Sequence, residues 1–283
     1  MGALLACGRR LLGRGSPLLL CLGGGLLVIA VAALAATAAR AVEWAAQTLG
    51  APGVVLEALA LSLLLSLRGL SAAARAVAES LKRGDLATAR GQVGRHLVSR
   101  PTDSLDEAHV ASAAVESVAE NLTDSVIAPL CCFLVFGLAG AAAYRVVNTA
   151  DAMLGYREGP LEWFGKVAAR LDDVLNAVPA RLAALALVAA AAITSADGRG
   201  ALRTAWHEHG RTASPNAGWT MAAMAGALGV RLEKTDHYQL GTGRWPAAPD
   251  IDRSIGLTQV AAWLTIAAVA VLVSGWSVFK SIS

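Results

Sequence analysis

Long apolar runs separated by polar, helix-forming segments dominate the chain. A helix needs about 20 apolar residues to cross the hydrocarbon core of a bilayer. Pro17 to Ala39 meets that length without a charge. Val54 to Leu67 is shorter, carries Glu57 near its start, and needs flanking residues from Gly50 onward. Val126 to Val147 contains Pro129 and several glycines, and Val174 to Thr194 is interrupted by Pro179 and Arg181. Leu257 to Phe279 is a clean fifth run. No alternating apolar–polar stretch of any length reads as a strand, so everything between the runs is expected to be helix and turn. The pattern predicts an all-α polytopic integral membrane protein, with about four to five transmembrane helices and amphipathic helices in the connections. Residues 1–283 read as a single membrane-embedded domain.

Composition supports the same class. Hydrophobic residues make up 55% and charged residues only 16%, against roughly 25% charge in a soluble domain. That leaves more apolar surface than one globular core of this length buries, and lipid is the natural second solvent. Aromatics are only 5%, and an apolar mass of Ala, Leu and Val favours close-packed helices over a β-barrel. A net charge of +3, with no basic stripe interleaved with aromatics, argues against a nucleic-acid partner. Cys7, Cys21, Cys131 and Cys132 form no C-x-x-C pair and read as packing residues.

Arg9, Arg10 and Arg14 precede the first run, which exceeds the roughly 7–15 apolar residues of a signal peptide and reads as a retained anchor. Of the 24 Lys and Arg, seven lie between Arg68 and Ser125 and seven between Ser195 and Gly256. Five crossings put these segments and the basic N-terminus on one side. The positive-inside rule makes that side cytoplasmic, in a multi-pass protein of the cell (inner, cytoplasmic) membrane.

Four polar constellations interrupt the apolar pattern. Ser104 and Glu107 have capping-box spacing. In the helix they would start, His109, Glu116, Glu120 and Asp124 share one stripe, with Asn121 beside it. Carboxylates four apart repel unless a cation, a basic partner or a proton lies over them. Either a divalent cation or a solvated amphipathic face fits the spacing. The stripe, however, runs straight into the apolar run at Val126, where acidic residues are costly. Tyr144, Asn148, Asp151 and Gly155 share a second face, followed by Tyr156; a ligand site or interfacial anchoring both fit. Arg170, Asp172, Asp173 and Asn176 lead into the fourth run, where Arg181 needs a carboxylate or phosphate partner. Ser214-Pro-Asn-Ala-Gly-Trp219 sets a turn and can cap the helix after it, with Asn216 within the turn. His207 and His209, two apart, have poor spacing for a helical zinc site. No P-loop and no nucleophile elbow is present.

Taken together, Ala114-Val-Glu-Ser-Val-Ala-Glu-Asn121, Val147-Asn-Thr-Ala-Asp-Ala-Met-Leu-Gly-Tyr156, Ala169-Arg-Leu-Asp-Asp-Val174 and Ser214-Pro-Asn-Ala-Gly-Trp219 resemble the adenosylcobinamide-phosphate synthase family (CobD/CbiB) in order and spacing. The resemblance runs from about Arg68 to the C-terminus, with residues 1–67 supplying two N-terminal spans. The Asp-Pro…His-Pro motif that family members carry before this region is missing here. The resemblance implies a late step of cobalamin biosynthesis: ATP-dependent ligation of adenosylcobyric acid with aminopropanol, or its phosphate, giving adenosylcobinamide or its phosphate. It implies ATP and Mg²⁺, membrane lipid around the spans, and other late cobalamin enzymes as partners.

On that basis Glu116, Glu120 and Asp124 are expected to hold Mg²⁺ or deprotonate the amine. Asp151 joins them as a catalytic carboxylate. Asn121, Asn148, Tyr156, Asp172, Asp173 and Asn216 complete the substrate shell, while Arg95, Arg100 and Arg170 hold phosphates or the corrinoid carboxylate. Five true crossings would put Asn148 and Asp151 on the opposite side from Glu116 and Glu120. A re-entrant hairpin over Val126 to Val147, permitted by Pro129 and the glycines, would relieve this conflict, provided the fourth run, broken by Pro179 and Arg181, also fails to cross. A transporter lined by Glu57, Arg145 and Arg181, or a non-catalytic membrane partner of the same superfamily, is the alternative reading.

Overall fold

The computed structural model describes residues 1–156 and 159–282, with the side chains at 67, 68 and 274–282 left aside. Arg68 and Phe279, which end the expected resemblance and fifth span, are among the latter. The chain runs through α1 (Gly2–Leu12), α2 (Pro17–Leu49), α3 (Ala51–Leu64), α4 (Leu67–Lys82), α5 (Leu86–His96) and α6 (Glu107–Leu122). A π-turn, Thr123–Ile127, leads into α7 (Ala128–Leu154), α8 (Leu161–Phe164), α9 (Lys166–Leu175), α10 (Ala177–Ile193), α11 (Gly198–Glu208) and α12 (Ala217–Leu228). Two short strands, β1 (Leu232–Lys234) and β2 (Tyr238–Leu240), precede α13 (Ala248–Ile282). Among the described residues three helices are long and apolar enough to cross a membrane: Pro17–Leu49, Glu107–Leu154 and Ala248–Val273. The number rises to five if each of two broken helix pairs is one span. The protein is therefore an all-α membrane protein. Its residues group into two compact units, Met1–Leu65 with Ala128–Asn176, and Ser66–Ile127 with Ala177–Ser283.

In the first unit α7 is two helices rather than one. Gly137 has φ 69° and ψ −163°, a left-handed conformation that costs an L-residue with a side chain. Ala128, Cys132 and Tyr144 pack in one cluster. A Cβ on Gly140 would lie 2.7 Å from the Cys132 carbonyl oxygen, whereas eight residues of straight helix span about 12 Å. Length and apolarity alone count Glu107–Leu154 as one helix, but the chain doubles back at Gly137, as the re-entrant alternative allowed. The returning limb runs antiparallel to α2. Leu138 and Ala142 pack on Ala39 at one end, and Val147, Ala150 and Leu154 pack with Leu20, Leu27 and Phe164 at the other. Gly24 permits that end to close, because a Cβ there would sit 1.9 Å from the Phe164 carbonyl oxygen.

In the second unit α6 is buried on every side from Val110 to Ala119. The expected division into a polar stripe and an apolar face fails because α4, α12, α13 and β1 all pack around this helix. The capping box also fails. Asp106, not Ser104, caps α6, its carboxylate accepting the His109 N–H at 2.9 Å. The hairpin β1–β2 pairs Leu232 with Leu240 and Lys234 with Tyr238. It corrects the expectation of helix and turn throughout. Strands of three residues are too short to show alternation, and the turn between them rests on Asp236 at φ 61°.

Candidate functional site

Within the second unit, Glu116 is 6% exposed in the buried stretch of α6, Val110 to Ala119, whose other residues are all Ala, Val and Ser. Its Oε1 accepts the Ser112 hydroxyl at 2.6 Å and its Oε2 accepts the Tyr238 phenol at 2.7 Å. The hairpin delivers Tyr238, and the Glu233 N–H also donates to Ser112 Oγ at 2.8 Å. Burial pushes the Tyr238 phenol well above its usual range, and the negative charges of Glu116 and Glu120 push it further, against the opposing guanidinium of Arg100. The phenol therefore remains a donor throughout the working pH range. Glu120, one turn on from Glu116, is exposed, Arg100 is half-buried, and Arg95 is exposed at the end of α5.

Asn121 lies beside this cluster, its amide donating to the Ser117 carbonyl at 3.2 Å and accepting from Ser125 at 3.0 Å. Asp124 lies within the π-turn, whose i→i+5 bonding takes it out of the 100° register predicted from Glu116 and Glu120. Among the described residues no group of three or more His, Cys, Asp or Glu is placed to hold a metal ion. A Mg²⁺ cage built from Glu116, Glu120 and Asp124 does not fit this arrangement.

Asn216 is buried at the start of α12, its N–H donating to Ser214 Oγ at 3.3 Å; the Ala217 N–H does the same. Ser214 therefore supplies the side-chain cap. Among the described residues no carboxylate pairs with Arg181. It donates to the Ala177 carbonyl and stacks 5.0 Å from Trp219, whose other neighbour is the His209 ring at 3.8 Å.

The first unit gathers the second and third constellations. Tyr144 donates to Asn176 Oδ1 at 2.9 Å, and the Asn176 amide donates to Asp172 Oδ2 at 2.8 Å. Asn148 donates to Asp172 Oδ1 at 3.3 Å and accepts from Arg145 at 3.2 Å. Asp151 lies half-buried one turn beyond Asn148 on the same limb, within electrostatic reach of Asp172 and Asp173. The result is a polar seam between the returning limb of α7 and α9, in an otherwise apolar packing. Arg170 is exposed at its rim, 3.8 Å from Asp173. Tyr156 is exposed and its hydroxyl donates to the Ala152 carbonyl at 3.1 Å.

Ser112, Tyr238 and Glu43 were not singled out from sequence. Ser112 could have been found, since it stands one turn before Glu116. Tyr238 lies 122 residues away from its partner, and nothing local marks it.

A family model described as "CobD/Cbib protein" matches residues 1–273. The chain is 47% identical over 196 residues to "Cobalamin biosynthesis protein CobD" of Dehalococcoides mccartyi, covering 69% of this chain and 63% of that protein. It is 45% identical over 177 residues to "Probable cobalamin biosynthesis protein CobD" of Methanocaldococcus jannaschii, covering 62% and 56%. It is 43% identical over 209 residues to the Klebsiella pneumoniae protein of the first name, covering 71% and 65%. Each match spans less than two thirds of the relative's own length. No solved structure matches the chain.

Proposed function

The chain belongs to the CobD/Cbib family, and we propose that it is the cobalamin-biosynthesis ligase that joins adenosylcobyric acid to aminopropanol, or its phosphate, at the expense of ATP. One observation carries this reading: polar residues in or next to the family-like segments lie buried among apolar helices. Glu116 is 6% exposed, Asn216 6% and Asn176 3%. Burying such groups is costly unless they are hydrogen-bonded, and a purely structural helix packs Ala or Leu instead.

Amide formation from a carboxylate needs a better leaving group than an oxide. In the proposed sequence the corrinoid carboxylate oxygen attacks the γ-phosphorus of ATP and ADP leaves. The amine nitrogen then attacks the acyl carbon and inorganic phosphate leaves. The ammonium must first lose its proton, which is the task of a held carboxylate. Glu116 is the candidate, since each of its oxygens keeps a second lone pair beyond the bond it accepts. Exposed Glu120 attracts the ammonium, with Asn121 following it in α6 and Asp124 in the π-turn beyond. Arg95, Arg100 and Arg170 offer charge to phosphate and carboxylate. Asn148, Asp151, Asp172, Asp173, Tyr156 and Asn216 order polar substrate groups. Magnesium would enter with the ATP phosphates and would screen their charge.

The basic head and the turn after α7 lie at one end of the first unit, where Gly2 meets Met153 and Leu5 packs with Leu154. The positive-inside rule then puts that end, and the seam's Asp151, on the cytoplasmic side of the cell membrane, where ATP is. Other late cobalamin enzymes are the proposed partners for so bulky an intermediate. The test is ligation by the detergent-purified chain given adenosylcobyric acid, aminopropanol phosphate, ATP and Mg²⁺, read by mass spectrometry. Amide that disappears without ATP, and with Glu116→Gln in normally inserted protein, is the expected result. No product from well-folded wild-type chain, or full activity in Glu116→Gln, defeats the ligase reading or the assignment of Glu116 respectively.

A further inference from the structure

We propose that Tyr238 is a positioning residue of the ligation site, holding the Glu116 carboxylate in one orientation across α6; this rests on the ligase reading. A glutamate carboxylate turns easily about its last torsion, which has broad wells. Here the two oxygens are held separately, Oε1 by Ser112 from one turn back and Oε2 by Tyr238 from the hairpin. The 2.6 and 2.7 Å separations are those of well-formed O–H···O hydrogen bonds. The remaining lone pairs therefore have a fixed direction, which a base acting on an incoming amine requires.

The hairpin does not depend on the phenol for its place. Glu233 N–H donates to Ser112 and Gly241 N–H donates to Glu208 Oε2 at 2.7 Å. Leu232 and Leu240 are fully buried. A phenylalanine at 238 would leave the hairpin seated. The hydroxyl adds the bond to Glu116 at 2.7 Å and a longer one, 3.8 Å, to Met221 Sδ. The charged groups acting on it are Glu116, Glu120 and Arg100.

The experiment compares wild type, Tyr238→Phe, Glu116→Gln and the double variant. Tyr238→Phe should lower kcat roughly 10- to 100-fold with little change in KM. The double variant should match Glu116→Gln alone, because Tyr238 acts through Glu116. Amide exchange over residues 232–240 should be unchanged in Tyr238→Phe. Wild-type kcat in Tyr238→Phe, or loss of exchange protection along with kcat, overturns the proposal; the latter would make Tyr238 a tether for the hairpin only. A fluorotyrosine at 238 gives a readout without turnover. Glu116→Gln removes the adjacent negative charge and should bring the phenol's titration to lower pH, whereas an unmoved titration overturns the pairing. Absence of amide product from wild type defeats the ligase reading instead, and the titration still decides the pair.

Discussion

The Glu43 carboxylate accepts the backbone N–H of Leu138, the first residue of the returning limb of α7. Glu43 is 5% exposed and its other oxygen accepts from Arg40 at 2.8 Å. A helix start has N–H groups with no partner inside the helix, and in an apolar setting each is costly. The carboxylate supplies an acceptor and places negative charge at the positive end of the helix dipole. This is what lets the chain reverse at Gly137.

Glu43→Ala should destabilise the detergent-solubilised protein by about 1–3 kcal/mol, since a buried donor loses its acceptor. Glu43→Gln, which keeps an acceptor, should lose less. Thermal unfolding checks both, and equal losses would show that the hydrogen bond is not what matters.

Gly137→Ala should be at least as damaging. The left-handed backbone costs roughly 1–2 kcal/mol for a residue with a Cβ. That Cβ would also lie 2.3 Å from Glu43 Oε1, so the carboxylate must move away from Leu138. A near-normal melting temperature would argue against a reversal at this position.

Because the run over Ala128–Leu154 doubles back at Gly137, the packing of its returning limb along α2 fixes its sidedness. In a cysteine-free background, single cysteines at Ser16 and Gly159 should react with an impermeant maleimide from the same side of the membrane. Labelling from opposite sides would restore a simple crossing.

Asn176→Ala removes a partner from both Tyr144 and Asp172. It should lower ligation while costing about 1–3 kcal/mol of stability. Asn176→Asp should be worse for activity, because it sets a second carboxylate against Asp172. Activity and melting measured together check this, and unchanged turnover in both variants would show that the seam takes no part in ligation.

The His109 backbone N–H holds the Asp106 carboxyl below its ordinary value. A depressed folded value means the cap's contribution is complete above the unfolded value, near 3.9. It is lost as pH falls through the lower folded value. Asp106→Ala should therefore cost about 0.5–2 kcal/mol at neutral pH. The difference from wild type should shrink in acid, as denaturant titrations at both pH values would show.

The sequence alone determined the membrane class, the approximate spans and the segments that carry the chemistry. Run length, the absence of charge over Pro17 to Ala39, and helical spacing are local properties that a linear reading contains. Grouping was decided only by the tertiary structure. Asn148 and Asp172 are 24 residues apart and meet because α7 reverses at Gly137 and α9 packs beside the returning limb. Glu116 and Tyr238 are 122 apart and meet through a hairpin too short to leave an alternating pattern. The stripe of Glu116, Glu120 and Asp124 looked like one acidic face because a uniform 100° step was assumed. A single π-turn, stabilised by packing around α6 rather than by any local propensity, takes Asp124 out of that register. Periodicity fixes which way a residue faces along its own helix. What lies opposite is fixed by long-range packing, which no local window contains.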